Sequence, residues 1–240
     1  MTKDNSGEKE THPMLEWTER NISESAWTMF KVISEFVEGF ETMHKIGPCV
    51  SIFGSARTKP DHPYYLKAVE IARLLTLEGF GVITGGGPGI MEAGNKGASI
   101  YGGKSVGLNI ELPFETGSNQ FVDWDKSIDF RYFFVRKVVF VKFAQAFIVL
   151  PGGLGTMDEL FEVLTLVQTK KIQPIPIILV GSDFWGGLKS WIEGTMLAEG
   201  KISPGDMDLM PIVDEPEEAI KIIKEFYEKK AGRLAPNYDL

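Results

Sequence analysis

The stretch Pro151-Gly152-Gly153-Leu154-Gly155-Thr156-Met157-Asp158-Glu159 holds the residue types that phosphate binding and acid–base work require. An apolar run, Ala146 to Leu150, enters it, and a helical pattern from Glu159 to Lys170 leaves it. Amides at a helix N-terminus lack internal partners and carry partial positive charge, so a strand–turn–helix of this kind receives an anion. Glycines let that backbone approach a ligand closely and adopt positive φ. Glu159 then stands beside whatever the loop holds, as a carboxylate able to stabilise a cation or activate water. A second run, Gly85-Gly86-Gly87-Pro88-Gly89, also leads from a strand into a helix. If the two strands are neighbours, two helix N-termini converge on one small anion. A mononucleotide or sugar phosphate fits that better than a dinucleotide.

Two familiar phosphate motifs fail on inspection. The dinucleotide fingerprint G-x-G-x-x-G would put Ile90 or Glu92 at its third glycine, and the next strand ends near Asn109 rather than at an acidic residue. Ala98-Ser99-Ile100-Tyr101-Gly102-Gly103-Lys104-Ser105 has Ala98 where the Walker pattern needs glycine, and it lies between a helix and a strand, the wrong order for that loop.

The elements that must position these groups are legible from periodicity and punctuation. Ile22, Ala26, Phe30, Ile33, Val37 and Phe40 share one face of a helix ahead of the first strand. Strands are expected at 49–55, 81–84, 105–110, 127–130, 146–150, 175–180 and 211–213. Helices are expected at 63–78, 90–101, 133–143, 159–170, 183–196 and 215–229. Asp61 is the expected cap of the helix that Pro63 opens, while Gly79, Gly102 and Gly103 read as helix stops. Residues 111–125 follow no pattern, and a loop of that length is often functional. The alternation predicts an α/β chain: a Rossmann-like doubly wound parallel sheet with helices on both faces and an extra N-terminal helix. Residues 1–240 are expected to form a single nucleotide-binding domain, with a helical extension over 16–46 and loose tails at 1–15 and 231–240.

Bulk properties narrow the partners. The 240 residues carry a net charge of −8 with no basic cluster, which disfavours nucleic acid. No apolar run reaches membrane-spanning length. The N-terminus is polar and unlike a signal peptide, and the lone Cys49 rules out an intrachain disulfide framework, so the expected compartment is cytoplasmic. His12, His44 and His62 lack ligand spacing, so no metal site is expected.

Gly85-Gly86-Gly87-Pro88-Gly89-Ile90-Met91-Glu92-Ala93, Arg136-Lys137 and Pro151 to Glu159 together closely resemble the Lonely Guy family, nucleoside 5′-monophosphate phosphoribohydrolases that release cytokinin bases. The resemblance spans about residues 48–182, and the long N-terminal segment is similar to the longer bacterial subgroup. Leu154 stands where many relatives carry Tyr or Phe. The resemblance implies catalytic Glu159 and Arg136. It implies substrate contacts from Gly85, Gly86, Gly87, Gly89, Met91, Glu92, Lys137, Pro151, Gly152, Gly153, Gly155 and Thr156. It also implies a purine nucleoside monophosphate as substrate, water as the only cosubstrate, no cofactor, and a homo-oligomer. Relatives are often labelled lysine decarboxylases, but no residue pattern here supports a pyridoxal phosphate site.

Two plainer readings stand beside this one. Thr156-x-x-Glu159 is also the spacing of a capping box, in which Glu159 would merely bond back to its own helix start. A non-catalytic nucleotide or molybdenum-cofactor carrier would use the same fold, but has no need of the pair Glu159 and Arg136. Phe130-Arg131-Tyr132-Phe133-Phe134 is a candidate wall for the base.

Overall fold

A computed structural model describes residues 22–111, 117–230 and 234–237. The expected N-terminal tail, residues 16–21 of the helical extension, residues 112–116 of the long loop and most of the C-terminal tail lie outside the described residues. In chain order the elements are α1 (Ile22–Ile46), β1 (Cys49–Phe53), α2 (Pro63–Leu77), β2 (Gly81–Thr84), α3 (Ile90–Ile100), β3 (Ser105–Ile110), β4 (Ser127–Phe130), α4 (Phe133–Phe143), β5 (Ala144–Val149), α5 (Leu154–Gln168), β6 (Ile177–Val180), α6 (Ser182–Trp191), β7 (Ile212–Val213) and α7 (Pro216–Lys230). A turn of π-helix, Ile192–Leu197, continues α6, and a 3-10 turn follows at Pro204–Leu209.

All seven strands pair in parallel, in the order β4-β3-β2-β1-β5-β6-β7. The chain builds outward from β1 to β4, then returns to lay β5 on the other side of β1. The crevice over β1 and β5 is therefore the topological switch point, where open α/β sheets bind ligands.

Strand alternation sends neighbouring side chains to opposite faces. Phe147 and Val149 join the core under α1, α4, α5 and α6, while Ala146, Ile148 and Leu150 join the core under α2, α3 and α7. Both faces are covered, so the sheet is doubly wound as the sequence predicts. The central strands are buried on both faces and are apolar apart from Ser51 in β1 and Gln145 in β5.

Three local expectations change. The cap of α2 is His62, not Asp61: His62 Nδ1 accepts from the Tyr64 amide at 3.1 Å, with Pro63 in the first helical turn as expected. The apolar face of α1 is also rotated. Val32, Met43 and Ile46 are buried, with Phe36 and Phe40 packed beside them, whereas Phe30, Ile33 and Val37 are exposed. This helix carries two apolar faces, and periodicity alone could not say which one meets the sheet. Finally, residues 234–237 do not hang free. Asn237 bonds the carbonyls of Lys142 and Val141, and Gln145 donates to Ala235 O at 3.0 Å, so this segment lies across the start of β5.

Candidate active site

The two glycine loops follow β2 and β5, which are not neighbours: β1 lies between them. The loops nevertheless meet, because the turn after β1 ties them together. Ser55 donates its amide to Pro151 O and accepts at its carbonyl from Ile90 N, both at 3.0 Å. The fit is tight enough to demand glycine twice. A Cβ on Gly54 would fall 2.6 Å from Ile90 Cγ2, and one on Gly89, at φ +67°, would collide with the Ser55 carbonyl. Gly54-Ser55 was legible only as a strand-ending turn. Its position over the switch point comes from the strand order.

Helix α5 begins at Leu154, inside the glycine run and five residues earlier than its apolar pattern suggests. Its cap is Gly153, and no side chain caps it. Thr156 is therefore the third helical residue and Glu159 the sixth, which removes the capping-box reading. The first intrahelical bond runs from Met157 N to Gly153 O at 3.0 Å. The amides of Leu154, Gly155 and Thr156 precede that bond and so have no partner within the helix. Beyond Gly153 and Gly155 there is open space, whereas Gly152 is packed against the Thr156 side chain. Leu154, at 90% exposure, projects into solvent from the same turn. The loop thus presents bare backbone and positive amide dipoles, and only Gly152 of its glycines is needed for packing.

Arg136 is the fourth residue of α4, at the end of its first turn, and reaches across to the other loop. A Cβ on Gly85 would collide with Arg136 Nη2 and fall 2.7 Å from Met91 Sδ; one on Gly87 would lie 2.6 Å from Met91 Cε. Gly85, Gly87, Met91 and the Arg136 guanidinium are therefore packed together. The guanidinium carbon sits 5.3 Å from the centre of the Phe140 ring, within cation–π range. The start of α4 is held from outside the sheet. No α4 side chain caps it, and the Glu35 carboxylate of α1 instead accepts from the amides of Arg131 and Tyr132 at 3.1 and 3.3 Å. The N-terminal helix thereby positions the element that carries Arg136. Sequence gave no sign of this, since the contact joins residues about a hundred positions apart.

Glu159 is the most perturbed carboxyl of the site. Burial raises its pKa from 4.5 to about 7, against the opposing fields of Lys137 and Arg136 and with help from neighbouring Glu162 and Asp158. Desolvation outweighs both cations. A carboxyl poised near neutrality is suited to proton transfer. Lys137 also stands on α4 but is engaged with α5, at 3.0 Å from both Asp158 and Glu162. Burial alone would lower its pKa, yet those two carboxylates hold it above the ordinary value. Its ammonium clamps α4 to α5 beside Glu159.

The other expected residues divide. Glu92 accepts from the Tyr65 hydroxyl at 2.6 Å and so faces α2. Within the proposed aromatic wall, Phe130 is fully buried in the core, Tyr132 packs on Phe134, and Phe133 and Phe134 are exposed. The first glycine loop has polar supports that periodicity cannot mark. Gly86 N donates to Thr84 Oγ1 at 3.0 Å, and Thr84 Oγ1 donates to the buried Asn95 Oδ1 at 2.6 Å. A polar Asn95 on a buried helix face was the one available signal.

Known proteins resemble this chain in sequence and in shape. A family model described as "Possible lysine decarboxylase" matches residues 91–223. The cytokinin riboside 5′-monophosphate phosphoribohydrolase of Mycobacterium tuberculosis is 33% identical over 172 residues, covering 68% of this chain and 87% of that protein. The protein of the same name from Mycobacterium marinum is 30% identical over 169 residues, covering 68% and 87%. Among solved structures, the molybdenum cofactor binding protein from Rippkaea orientalis aligns with a TM-score of 0.54 at 24% identity, over 75% of this chain and 98% of that one. The molybdenum cofactor carrier protein from Chlamydomonas reinhardtii gives 0.53 at 19%, over 76% and 99%. At those identities the structural likeness establishes the fold alone.

Proposed function

Because the chain belongs to the Lonely Guy family of cytokinin riboside 5′-monophosphate phosphoribohydrolases, we propose that it hydrolyses the N-glycosidic bond of a purine nucleoside 5′-monophosphate. The products are the free base and ribose 5-phosphate. AMP or an N6-modified AMP is the substrate, water is the cosubstrate, and no cofactor takes part. The observation that carries this reading is Glu159: a carboxyl raised to about 7 in the second turn of a helix whose uncapped N-terminus faces open space.

In this mechanism the 5′-phosphate rests on the amides of Leu154, Gly155 and Thr156, with Pro151, Gly152 and Gly153 shaping the turn. That seat sets the sugar's C1′ at a defined distance from Glu159. The C1′–N bond breaks and its electron pair leaves with the base, giving an oxocarbenium-like sugar. The Glu159 carboxylate stabilises that cation and takes a proton from the attacking water, whose oxygen bonds to C1′. Glu159 then gives that proton up, by way of solvent, to the departing base, which restores its carboxylate. Arg136 holds substrate oxygens through its planar fork. Gly85, Gly86, Gly87, Gly89 and Met91 form the facing wall. Lys137 acts by steadying Glu159 rather than by touching substrate, and Glu92 buttresses α3 through Tyr65.

We take the chain as one nucleotide-binding domain built on the single sheet, working in the cytoplasm. No described helix is long and apolar enough to cross a membrane. We also infer a homo-oligomer: Trp27, Phe30, Ile33 and Val37 form an exposed apolar stripe on α1 beside the end of the sheet that carries the site.

The test is incubation with AMP and with N6-isopentenyl-AMP, followed by chromatography for free base. Release from either supports the hydrolase. Binding of both with no release would instead favour a carrier. Glu159→Gln is expected to abolish release while sparing binding, and unchanged turnover in that variant would sink the assignment.

A further inference from the structure

We infer that Asn119, from the patternless segment after β3, is a positioning residue that turns the Gly85–Gly89 loop into a donor surface for the substrate. This rests on the reading of that loop as part of the nucleotide site. Asn119 donates its backbone amide to Gly86 O at 2.7 Å. Its side-chain Nδ2 lies 3.0 Å from the same carbonyl, 3.1 Å from Gly87 O and 2.9 Å from Asn95 Oδ1. Asn119 Oδ1 accepts from Phe121 N at 3.1 Å, which locks the side chain in its own turn.

The consequence follows from peptide geometry. No described peptide bond is cis, and in a trans peptide the carbonyl and the following N–H point opposite ways. Turning Gly86 C=O onto Asn119 therefore turns the Gly87 N–H away from Asn119. Gly87 C=O is followed by Pro88, which has no N–H, so Asn119 here serves to remove an acceptor that would repel an anion. A glycine loop attracts an anion only when its carbonyls are satisfied elsewhere.

The side chain is in turn fixed from beneath. Asn95 is fully buried and donates to Ser105 Oγ at 2.9 Å and Val106 O at 3.1 Å, which leaves its Oδ1 to receive Thr84 and Asn119. The chain of bonds runs from β3 through α3 and Asn119 to Gly86 and Gly87. Gly86 sits at φ +74°, where an added Cβ would collide with Asn109 Oδ1, so the loop has little freedom to relax if Asn119 is lost.

Asn119→Asp separates this role from simple turn formation. It preserves size and the acceptor for Phe121 N but replaces the donor with a carboxylate facing two carbonyls. The full-length variant is expected to bind AMP at least tenfold more weakly by calorimetry. Its KM should rise by a similar factor and kcat should change less than about threefold, because Glu159 and Arg136 are untouched. Asn119→Ala should fall between the wild type and Asn119→Asp. Wild-type affinity in Asn119→Asp would overturn the proposal. If the variants do not fold, the wild-type chain decides: titration with AMP should shift the Gly87 amide resonance, and an unmoved resonance overturns the proposal. AMP and N6-isopentenyl-AMP both bound by the wild type without base release would sink the hydrolase reading alone, whereas binding of neither would sink both.

Discussion

Replacing Glu159 by Gln is expected to stabilise the fold above neutral pH while destroying activity. The cause is the burial that raises its pKa from 4.5 to about 7. An unfolded chain ionises Glu159 freely above 4.5, but the folded chain holds the proton until about 7. Stability is therefore lost as pH rises through that window, then levels off. At about 1.36 kcal/mol per pKa unit the full penalty is about 3 kcal/mol, trimmed to about 2 kcal/mol by the partial exposure of the side chain. Gln cannot ionise and escapes the penalty. For a chain of this size about 2 kcal/mol corresponds to roughly 4–8 °C in Tm. Thermal unfolding of wild type and Glu159→Gln at pH 5 and pH 8, without ligand, measures it. The variant should melt higher at pH 8, and the gap should shrink to under about 1 kcal/mol at pH 5. A gap that does not depend on pH, or a variant less stable at pH 8, would refute the reasoning. The latter result would mean that the folded chain favours the carboxylate.

Other expected outcomes concern the neighbours of Glu159. With the carboxylate as the working form, kcat/KM should rise with pH through a limb near 7. Lys137→Met should move that limb to higher pH, since Lys137 lowers the Glu159 pKa; an unmoved limb in the pH–rate profile would separate the two residues. Gly85→Ala places a methyl group against Arg136 Nη2 and Met91 Sδ, and should cost about 100-fold in kcat/KM through displacement of the guanidinium. Turnover at the wild-type rate would show that Arg136 has no fixed task. Phe30→Glu combined with Val37→Glu charges the exposed stripe of α1 but leaves the buried Val32, Met43 and Ile46 in place. Light scattering should then give a smaller assembly, and an unchanged mass would clear that stripe of any interface role.

Much of this protein is written in local pattern. The order of strands and helices, the doubly wound class and both glycine loops follow from short-range periodicity and from residues that punctuate it. Glu159 stands out as a candidate because it follows a glycine loop at a local spacing, whereas Arg136 is a candidate only through the family resemblance. Contacts between distant segments were not recognisable. That β1 separates the two loop-bearing strands, and that Ser55 joins their loops, depends on strand order, which no local pattern encodes. The start of α5 at Leu154 was hidden because glycines hold no apolar periodicity, yet it decides that Glu159 is not a cap. Which face of α1 is buried, and that its Glu35 holds the helix bearing Arg136, are likewise settled only by packing. The same holds for the Glu159 pKa, because desolvation is a property of everything that surrounds a carboxyl. The chain's own order names the candidate groups for the proposed chemistry. Only the folded structure gives them their distances, their dielectric surroundings and their supports.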